Sequence, residues 1–450
     1  MYACLLPARF FLRRRITILA VLAVALCVFT IVVVMTVMNG LVIDFTAKNH
    51  AFFSDCIVST DSLVGFGLYE EFISRLEGAD FVASAAPVIS AFGLVESESS
   101  GKNAALDLMG IDIARHIKTT DFADTLYYRK DTPILAFRPI YDTNLPGCIV
   151  GVDLLVERQK SGQYRQLSYL PAWSYLVTCF PLTPKGALAK TGTQLSANSR
   201  TFYYSDNSNS GLARIDSTVV YLPFDFLQSL CGMDIAGRRT NAIFIKFKQG
   251  SDINLCTDKV SRLWQDFISQ KGDFALANLF GTVRVADWKT YRRQTIAPME
   301  KEQAMLILLF ALVGLITVFI IFVIFYMIIS RKSRDIGILK SLGVSKAGIV
   351  RVFMRLAFLT GICGAAVGIA SALFFLANIN RLEGWLFDKF GFQMWNREIY
   401  AIGEIPHDTA PLLLAAVAAC AVAACLLGAL LPTLSAAGRK CVDVLQVNQL

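Results

Sequence analysis

Four apolar runs, each too long and too uniform for one face of a soluble helix, interrupt this chain. Ile16–Met38 holds 23 residues without a charge, Ala304–Ile329 holds 26, Leu356–Ile379 holds 24 and Ala410–Leu434 holds 25. About 20 helical residues, rising ~1.5 Å each, cross the roughly 30 Å of bilayer hydrocarbon. The pattern therefore predicts four transmembrane helices. The 42–300 stretch between the first two runs has the pattern of an ordinary folded protein and is long enough for one large domain or two subdomains. Its strand-like segments are Cys56–Thr60, Phe81–Val95, Ala104–Gly110, Cys148–Val152, Val219–Leu222 and Ala242–Phe247, rich in β-branched and apolar residues. Its helix-like segments are Leu68–Glu77 and Leu255–Ser269. Ser196–Gly211, dense in Ser and Asn, reads as an exposed loop. The predicted fold is an α-helical membrane protein with four transmembrane helices plus a large α+β periplasmic domain between helices 1 and 2, divided by a piece inserted around 110–215.

In order, the expected organisation is a cytoplasmic N-terminus (1–15), span 1 (16–41, punctuated by Asn39 and Gly40), the outer domain (42–300), span 2 (301–330), a cytoplasmic coupling helix (331–346), span 3 (347–379), a short outer loop (380–409), span 4 (410–434) and a cytoplasmic tail (435–450). The basic head and first run resemble a signal peptide, but the run is too long and lacks a clear cleavage site, so an uncleaved anchor is expected. Trp288–Lys301 reads as the second helix emerging from the membrane. Gly364 and Gly368 in the third span have GxxxG spacing, which permits close helix contact. Trp385, Phe390, Trp395 and Tyr400 in the last outer loop suit interfacial anchors.

Charge changes the picture by where it falls. The 450 residues are 55% hydrophobic and 17% charged, with a net charge of +8. Arg9, Arg13, Arg14 and Arg15 precede the first span, seven basic residues lie between Arg331 and Arg355, and Arg439 and Lys440 follow the last span. All fall on one side if both termini are cytoplasmic, as the positive-inside bias expects. The basic excess thus encodes topology and not a nucleic-acid surface. Of eleven cysteines, Cys27, Cys363, Cys420 and Cys425 lie in spans, Cys4 and Cys441 on the cytoplasmic side, and Cys56, Cys148, Cys179, Cys231 and Cys256 in the outer domain. The outer five permit at most two disulfides, and spacing does not choose the pairs.

The most distinctive short stretch is Arg331–Gly343, RKSRDIGILKSLG, lying between two spans. Its charge keeps it out of hydrocarbon. Ile336, Leu339 and Leu342 recur at i+3, and Ile338 stands four before Leu342, as on an amphipathic helix. Gly343 supplies a stop, and Ser345 can cap the next helix. Such a helix, joined rigidly to two spans, can receive a push from a soluble partner. A basic loop that only fixes topology stays open as the plainer reading. The chain has no phosphate loop, GALAK at 186–190 having the wrong spacing, and no HExxH, GxSxG or kinase signature. His50, His116 and His407 are too scattered for a metal set and read as surface or capping residues. No cofactor, metal or catalytic residue is expected, so energy must come from a partner.

Several stretches together resemble the permease subunits of the lipoprotein-releasing ABC transporter, the LolC/LolE family, within the wider MacB/FtsX-like superfamily. They are VMNG at 37–40, LMGID at 108–112, GCIVGVDLL at 147–155, SGLARIDSTVVYLPF at 210–224, NAIFIKFK at 241–248, Trp288 with MEKEQAM at 299–305, RKSRDIGILKSLGVS at 331–345, IGEIPHDTAP at 402–411 and ALLPTLSAAGRK at 429–440. The tail departs from the family, with Leu431, Pro432, Thr433 and Leu434 where it carries aromatic-Pro-Ala-Trp, and Ala25 stands near a usual glycine of the first span. With only 15 residues before the first span, a fused ATPase is not expected. The resemblance implies a separate ABC ATPase, docking on Arg334, Asp335, Ile338, Lys340, Leu342 and Gly343. It further implies a second permease, copy or paralogue, and triacylated lipoproteins drawn from the outer leaflet of a bacterial inner membrane. Acyl chains would pass Met35, Met38, Asn39 and Gly40. A soluble periplasmic carrier would take the product. Two other readings stay open: a mechanotransmitting permease controlling a cell-wall hydrolase or efflux partner, and a membrane-anchored sensor or binding protein with no ATPase.

Overall fold

The computed structural model describes residues 15–98, 101–155, 164, 171–191, 194–235, 237–271, 274, 276–390 and 410–438. The chain divides into two compact units. One comprises residues 1–43, 298–393 and 404–450, and the other comprises 44–297 with 394–403. Cys4, the basic head to Arg14, Trp395, Tyr400, His407, Arg439, Lys440 and Cys441 lie outside the described residues, as does most of the 402–411 motif.

The outer unit is built on strands β1 (Cys56–Thr60), β2 (Phe66–Gly67), β3 (Val82–Ser97), β4 (Asn103–Ile111), β5 (Gly147–Gly151), β6 (Ser174–Cys179), β7 (Lys190–Thr191), β8 (Gln194–Leu195), β9 (Asn198–Ser208), β10 (Val219–Pro223), β11 (Arg239–Thr240), β12 (Ala242–Phe247) and β13 (Val283–Asp287). Nine of them form one sheet in the order β13-β1-β12-β3-β4-β10-β5-β9-β6. β3 is 16 residues long and serves two neighbours on one edge: Val82–Val88 pairs with β12, and Leu94–Ser97 pairs with β6. The second pairing closes β3, β4, β10, β5, β9 and β6 into a ring of six strands. The sheet therefore runs unbroken through the 110–215 segment, which is not a detachable insertion: β3 belongs to both the ring and the three-stranded extension β12-β1-β13.

Alternation along each strand sorts side chains between two cores. In β1, Val58 joins the core that holds Phe72, Trp264 and Phe267, while Ile57 joins the one that holds Phe53, Ile111 and Tyr221. The helices Tyr69–Glu77 and Ile253–Gln270 cover the first face, and the Phe72 ring lies 4.9 Å from Trp264 and 5.3 Å from Phe267. Asp252 caps the longer helix, its carboxylate accepting from the Asn254 and Leu255 N–H groups.

The expected loop at Ser196–Gly211 is instead the long strand β9, with Phe202, Tyr204, Ser205, Asp206, Asn207 and Ser208 all buried. A strand so polar is tolerable in a core only when its groups are hydrogen-bonded. Asp206 accepts from the backbone N–H of Tyr127 (3.2 Å), Tyr128 (2.8 Å), Arg129 (2.9 Å) and Asn207 (2.7 Å), while Ser205 Oγ donates to the Cys148 carbonyl (2.8 Å). Burial raises the Asp206 pKa, and the four N–H donors act against it. Asp216, also buried, accepts from Ser210 N, Ser210 Oγ and Gly211 N at 2.7–2.9 Å and so fixes the turn in which Gly211 takes φ +69°. Burial pushes its carboxyl up to about 6 despite these bonds.

His116 is likewise no surface or capping residue. It is fully buried, edge-on to Phe122 at 5.3 Å, and burial pushes its pKa down to about 3. The five outer cysteines are all buried.

Four helices are long and apolar enough to cross a membrane. The first, Arg15–Phe53, does not stop at Asn39–Gly40 as expected. An isolated Asn-Gly inside a strongly helical stretch weakens a helix by only about 1 kcal/mol and does not break it. The second runs Arg293–Arg331, eight residues ahead of its predicted start, with Pro298 in its second turn. The third is Lys346–Ala377 and the fourth Pro411–Gly438, so residues assigned to the tail remain helical. The predicted 380–409 loop opens as the helix Ile379–Phe390, with Trp385 and Phe390 exposed.

Candidate functional site

Between the second and third of these helices the chain must reverse within a few residues. Arg331 ends one helix, Lys332 is non-helical, and a short helix, Ser333–Ser341, begins at once. Its last turn closes through Leu342 N to Ile338 O (3.1 Å) and Gly343 N to Lys340 O (3.0 Å). Gly343 then takes φ +86°, a left-handed conformation that favours glycine. Ser345 caps the next helix by accepting from Gly348 N at 3.2 Å. Stop and cap thus stand where the sequence put them.

The apolar residues of this segment divide between two environments. Ile336 is buried, whereas Ile338 is 48% exposed and Leu342 75% exposed. Lys340 turns back toward the bundle, its Nζ donating to the Ala437 carbonyl at 2.9 Å near the end of the fourth helix. Of the six predicted docking residues, Ile338 and Leu342 therefore present apolar surface, Lys340 ties the segment to the fourth helix, and Gly343 makes the turn. The side chains of Arg334 and Asp335 lie outside the described residues.

Behind this segment the four long helices meet through glycines. A Cβ on Gly364 would stand 2.7 Å from Val24 Cβ, and one on Gly368 would stand 2.7 Å from the Ala25 carbonyl. The GxxxG pair therefore seats the first helix, and Ala25 is opposed by a glycine from the third. A Cβ on Gly361 would stand 3.0 Å from Val422 Cα and one on Gly428 2.7 Å from the Val318 carbonyl, so these glycines let the third helix approach the fourth and the fourth approach the second. Phe29 meets Phe375 edge-on at 5.6 Å. Close backbone approach is the usual means of joining helices in lipid, where apolar burial gives no preference for protein over acyl chain.

Among the predicted acyl-path residues, Met38 is buried, and Met35, Asn39 and Gly40 are half-buried, on consecutive turns of one unbroken helix. Met35 and Asn39 share a face at i, i+4 spacing.

A set of contacts that sequence reasoning missed lies in the outer unit, where Lys48–Phe53 meets Trp288–Arg292. His50 Nε2 and Asp55 Oδ1 are 2.7 Å apart, and the His50 ring stacks on Trp288 at 4.8 Å. Arg292 Nε donates to Asn49 Oδ1 at 3.2 Å, with its guanidinium 4.6 Å from the Phe53 ring centre. Asp55 Oδ2 also accepts from Phe247 N at 2.7 Å. Burial works to raise the Asp55 pKa, but the hydrogen bonds from His50 and Phe247 N–H outweigh it and hold the carboxyl below its ordinary value. The only sequence signal was Trp288 within the family-like stretch. Among the described residues no cluster of His, Cys, Asp and Glu suits a metal ion.

Residues 307–440 match the FtsX-like permease C-terminal family. The chain is 26% identical over 126 residues to the lipoprotein-releasing system transmembrane protein LolC of Neisseria meningitidis serogroup B, covering 28% of this chain and 30% of that protein. It is 27% identical over 130 residues to the LolC of Xylella fastidiosa, covering 29% and 32%. The match thus spans about a third of these relatives' length. Among solved structures, the periplasmic region of MacB from Actinobacillus actinomycetemcomitans is 11% identical with a TM-score of 0.29, covering 56% of this chain and 97% of its own. The extracellular domain of the noncanonic ABC-type transporter YknZ from Gram-positive bacteria is 11% identical with a TM-score of 0.28, covering 52% and 98%.

Proposed function

We propose that this chain is the membrane subunit of an ABC transporter that releases lipoproteins from the outer leaflet of the inner membrane, since residues 307–440 match the FtsX-like permease C-terminal family and four helices are long and apolar enough to cross a membrane. The observation that carries the reading is the short helix Ser333–Ser341, stopped at Gly343 and held between two spans with Ile338 and Leu342 exposed. An amphipathic helix offering apolar anchors at i and i+4 fits a groove on a soluble partner. That partner is a separate ATPase, whose nucleotide-driven closure tilts the spans. The chain itself supplies no catalysis. A second permease, copy or paralogue, completes the pair; a triacylated lipoprotein enters beside Met35, Met38, Asn39 and Gly40, and a soluble periplasmic carrier receives it. The outer unit faces the periplasm, and both termini are cytoplasmic. The specific substrate rests on the LolC relatives, whose name states lipoprotein release.

Two experiments test this. Leu342→Asp puts a charge on the most exposed apolar position among the described residues of the segment; co-purification of the ATPase should be lost while membrane insertion is kept, and unchanged co-purification would remove the docking surface. Photo-crosslinkers at Met35 and Met38 should capture lipoprotein. Capture of protein partners alone would favour the mechanotransmitting reading, which the two 39-residue helices Arg15–Phe53 and Arg293–Arg331 also suit.

A further inference from the structure

Two of the five outer cysteines are brought together by elements far apart in sequence. Cys179 is the last residue of β6, where its cross-strand partner is Asn198 of β9. The Asn198 side-chain amide reaches across to the carbonyl of Leu230, at 3.1 Å, at the end of the helix Phe224–Leu230. Cys231 is the next residue and caps that helix. One residue further, a Cβ on Gly232 would stand 3.0 Å from Pro181 Cβ, so the two chain segments run in van der Waals contact on both sides of the cysteines. Each thiol perturbs the other: the neighbouring sulfur lowers the Cys179 pKa and, with burial, raises that of Cys231. Cys179 is 1% exposed and Cys231 9%.

From this juxtaposition we propose that Cys179 and Cys231 oxidise to an intramolecular disulfide, joining the end of β6 to the cap of the Phe224–Leu230 helix. The proposal rests on the periplasmic placement of this unit, where disulfides form and persist. The co-reactant is a disulfide donor, and the step is thiol–disulfide exchange. Cys179 thiolate attacks the donor disulfide and one donor thiolate leaves. Cys231 thiolate then attacks the Cys179 sulfur of the mixed disulfide and the second donor thiolate leaves. Two cysteine thiols are oxidised, one donor disulfide is reduced to two thiols, and the two protons pass to the donor sulfurs. Closure takes place during folding, before both sulfurs are buried. The bond spans 51 intervening residues, a long loop whose closure restricts the unfolded chain.

The test uses the full-length chain, extracted from cells with thiols blocked at once by N-ethylmaleimide, digested without reductant and analysed by mass spectrometry. A linked peptide pair containing Cys179 and Cys231, released by dithiothreitol, is the expected result. In denatured, unreduced protein, Cys179→Ser and Cys231→Ser should each show one more maleimide-reactive thiol than wild type, so the readout survives a loss of stability in either variant. If the link is absent from cells but forms when the purified chain is unfolded and refolded with oxidised glutathione, the pair stands and the periplasmic placement fails. Absence of the link under both conditions overturns the proposal.

Discussion

Gly368 admits the first helix so closely that a Cβ would lie 2.7 Å from the Ala25 carbonyl, whereas Asp206 in the outer sheet gathers four backbone N–H groups on one carboxylate. The spans cohere through smooth, short-range contacts that carry little direction. The outer sheet coheres through hydrogen bonds that fix register, since a one-residue slip would turn every side chain to the wrong face. Helices joined by small residues can shift against one another at modest cost, while a sheet with buried, bonded polar groups moves as one body. The contrast puts the more deformable part of the chain among the long helices and the more rigid part in the outer unit.

Asp206→Ala attacks the rigid side most directly. It strips the acceptor from four N–H groups around a buried position, and at roughly 1–3 kcal/mol per unsatisfied group, partly relieved by water, the loss should be about 4 kcal/mol. Urea unfolding of the full chain in detergent, followed by the β-sheet circular dichroism signal, measures it. A loss under about 1 kcal/mol would mean that the carboxylate does not organise β9. Gly368→Val attacks the span side. The added branches meet Ala25 O and Val28, and forcing the helices apart should cost about 2–3 kcal/mol. Cysteine crosslinking between the first and third helices should fall while the sheet signal is unchanged. Gly314→Val is the control, because nothing lies within 4 Å of a Cβ there.

The smallest effect is a pH dependence confined to the outer unit. The folded Asp216 carboxyl, near 6, exceeds the ordinary unfolded value of about 3.9, so the folded state holds its proton more tightly. Stability should therefore rise by about 1 kcal/mol as pH falls from 7 to 5. Asp206 is raised and acts in the same direction, whereas Asp55 is lowered, so its stabilisation is present above about 3.9 and is lost as pH falls through its folded value. Thermal melts at pH 7 and pH 5 check the sign, and Asp216→Asn should flatten the difference.

What could be read in the sequence follows the same divide. Four spans, the stop at Gly343 and the cap at Ser345 were legible because each depends on a local property: run length, a left-handed backbone, a hydroxyl at a helix start. β12 was legible to the residue because a strand buried on both faces is a near-continuous apolar run, here broken only by the half-buried Lys246. β9 was not, because what makes NSRTFYYSDNS a strand is donors from 127–129, about eighty residues away. His116 failed for the same reason, its burial being set by Phe122 and Phe244. At the candidate docking segment the helix could be read, but the sequence did not reveal that Ile336 turns inward and Ile338 outward, or that Lys340 binds the Ala437 carbonyl.

The ring closed by β6 against β3 has one more effect. Strands at an open sheet rim invite pairing with another chain, and with it entanglement and precipitation. Among the described strands of the large sheet, closure leaves β13 with a single neighbour, and β13 leads within one residue into the helix Trp288–Tyr291. Within that sheet, self-templated clumping is thus offered one single-neighbour strand instead of the two that an open sheet presents.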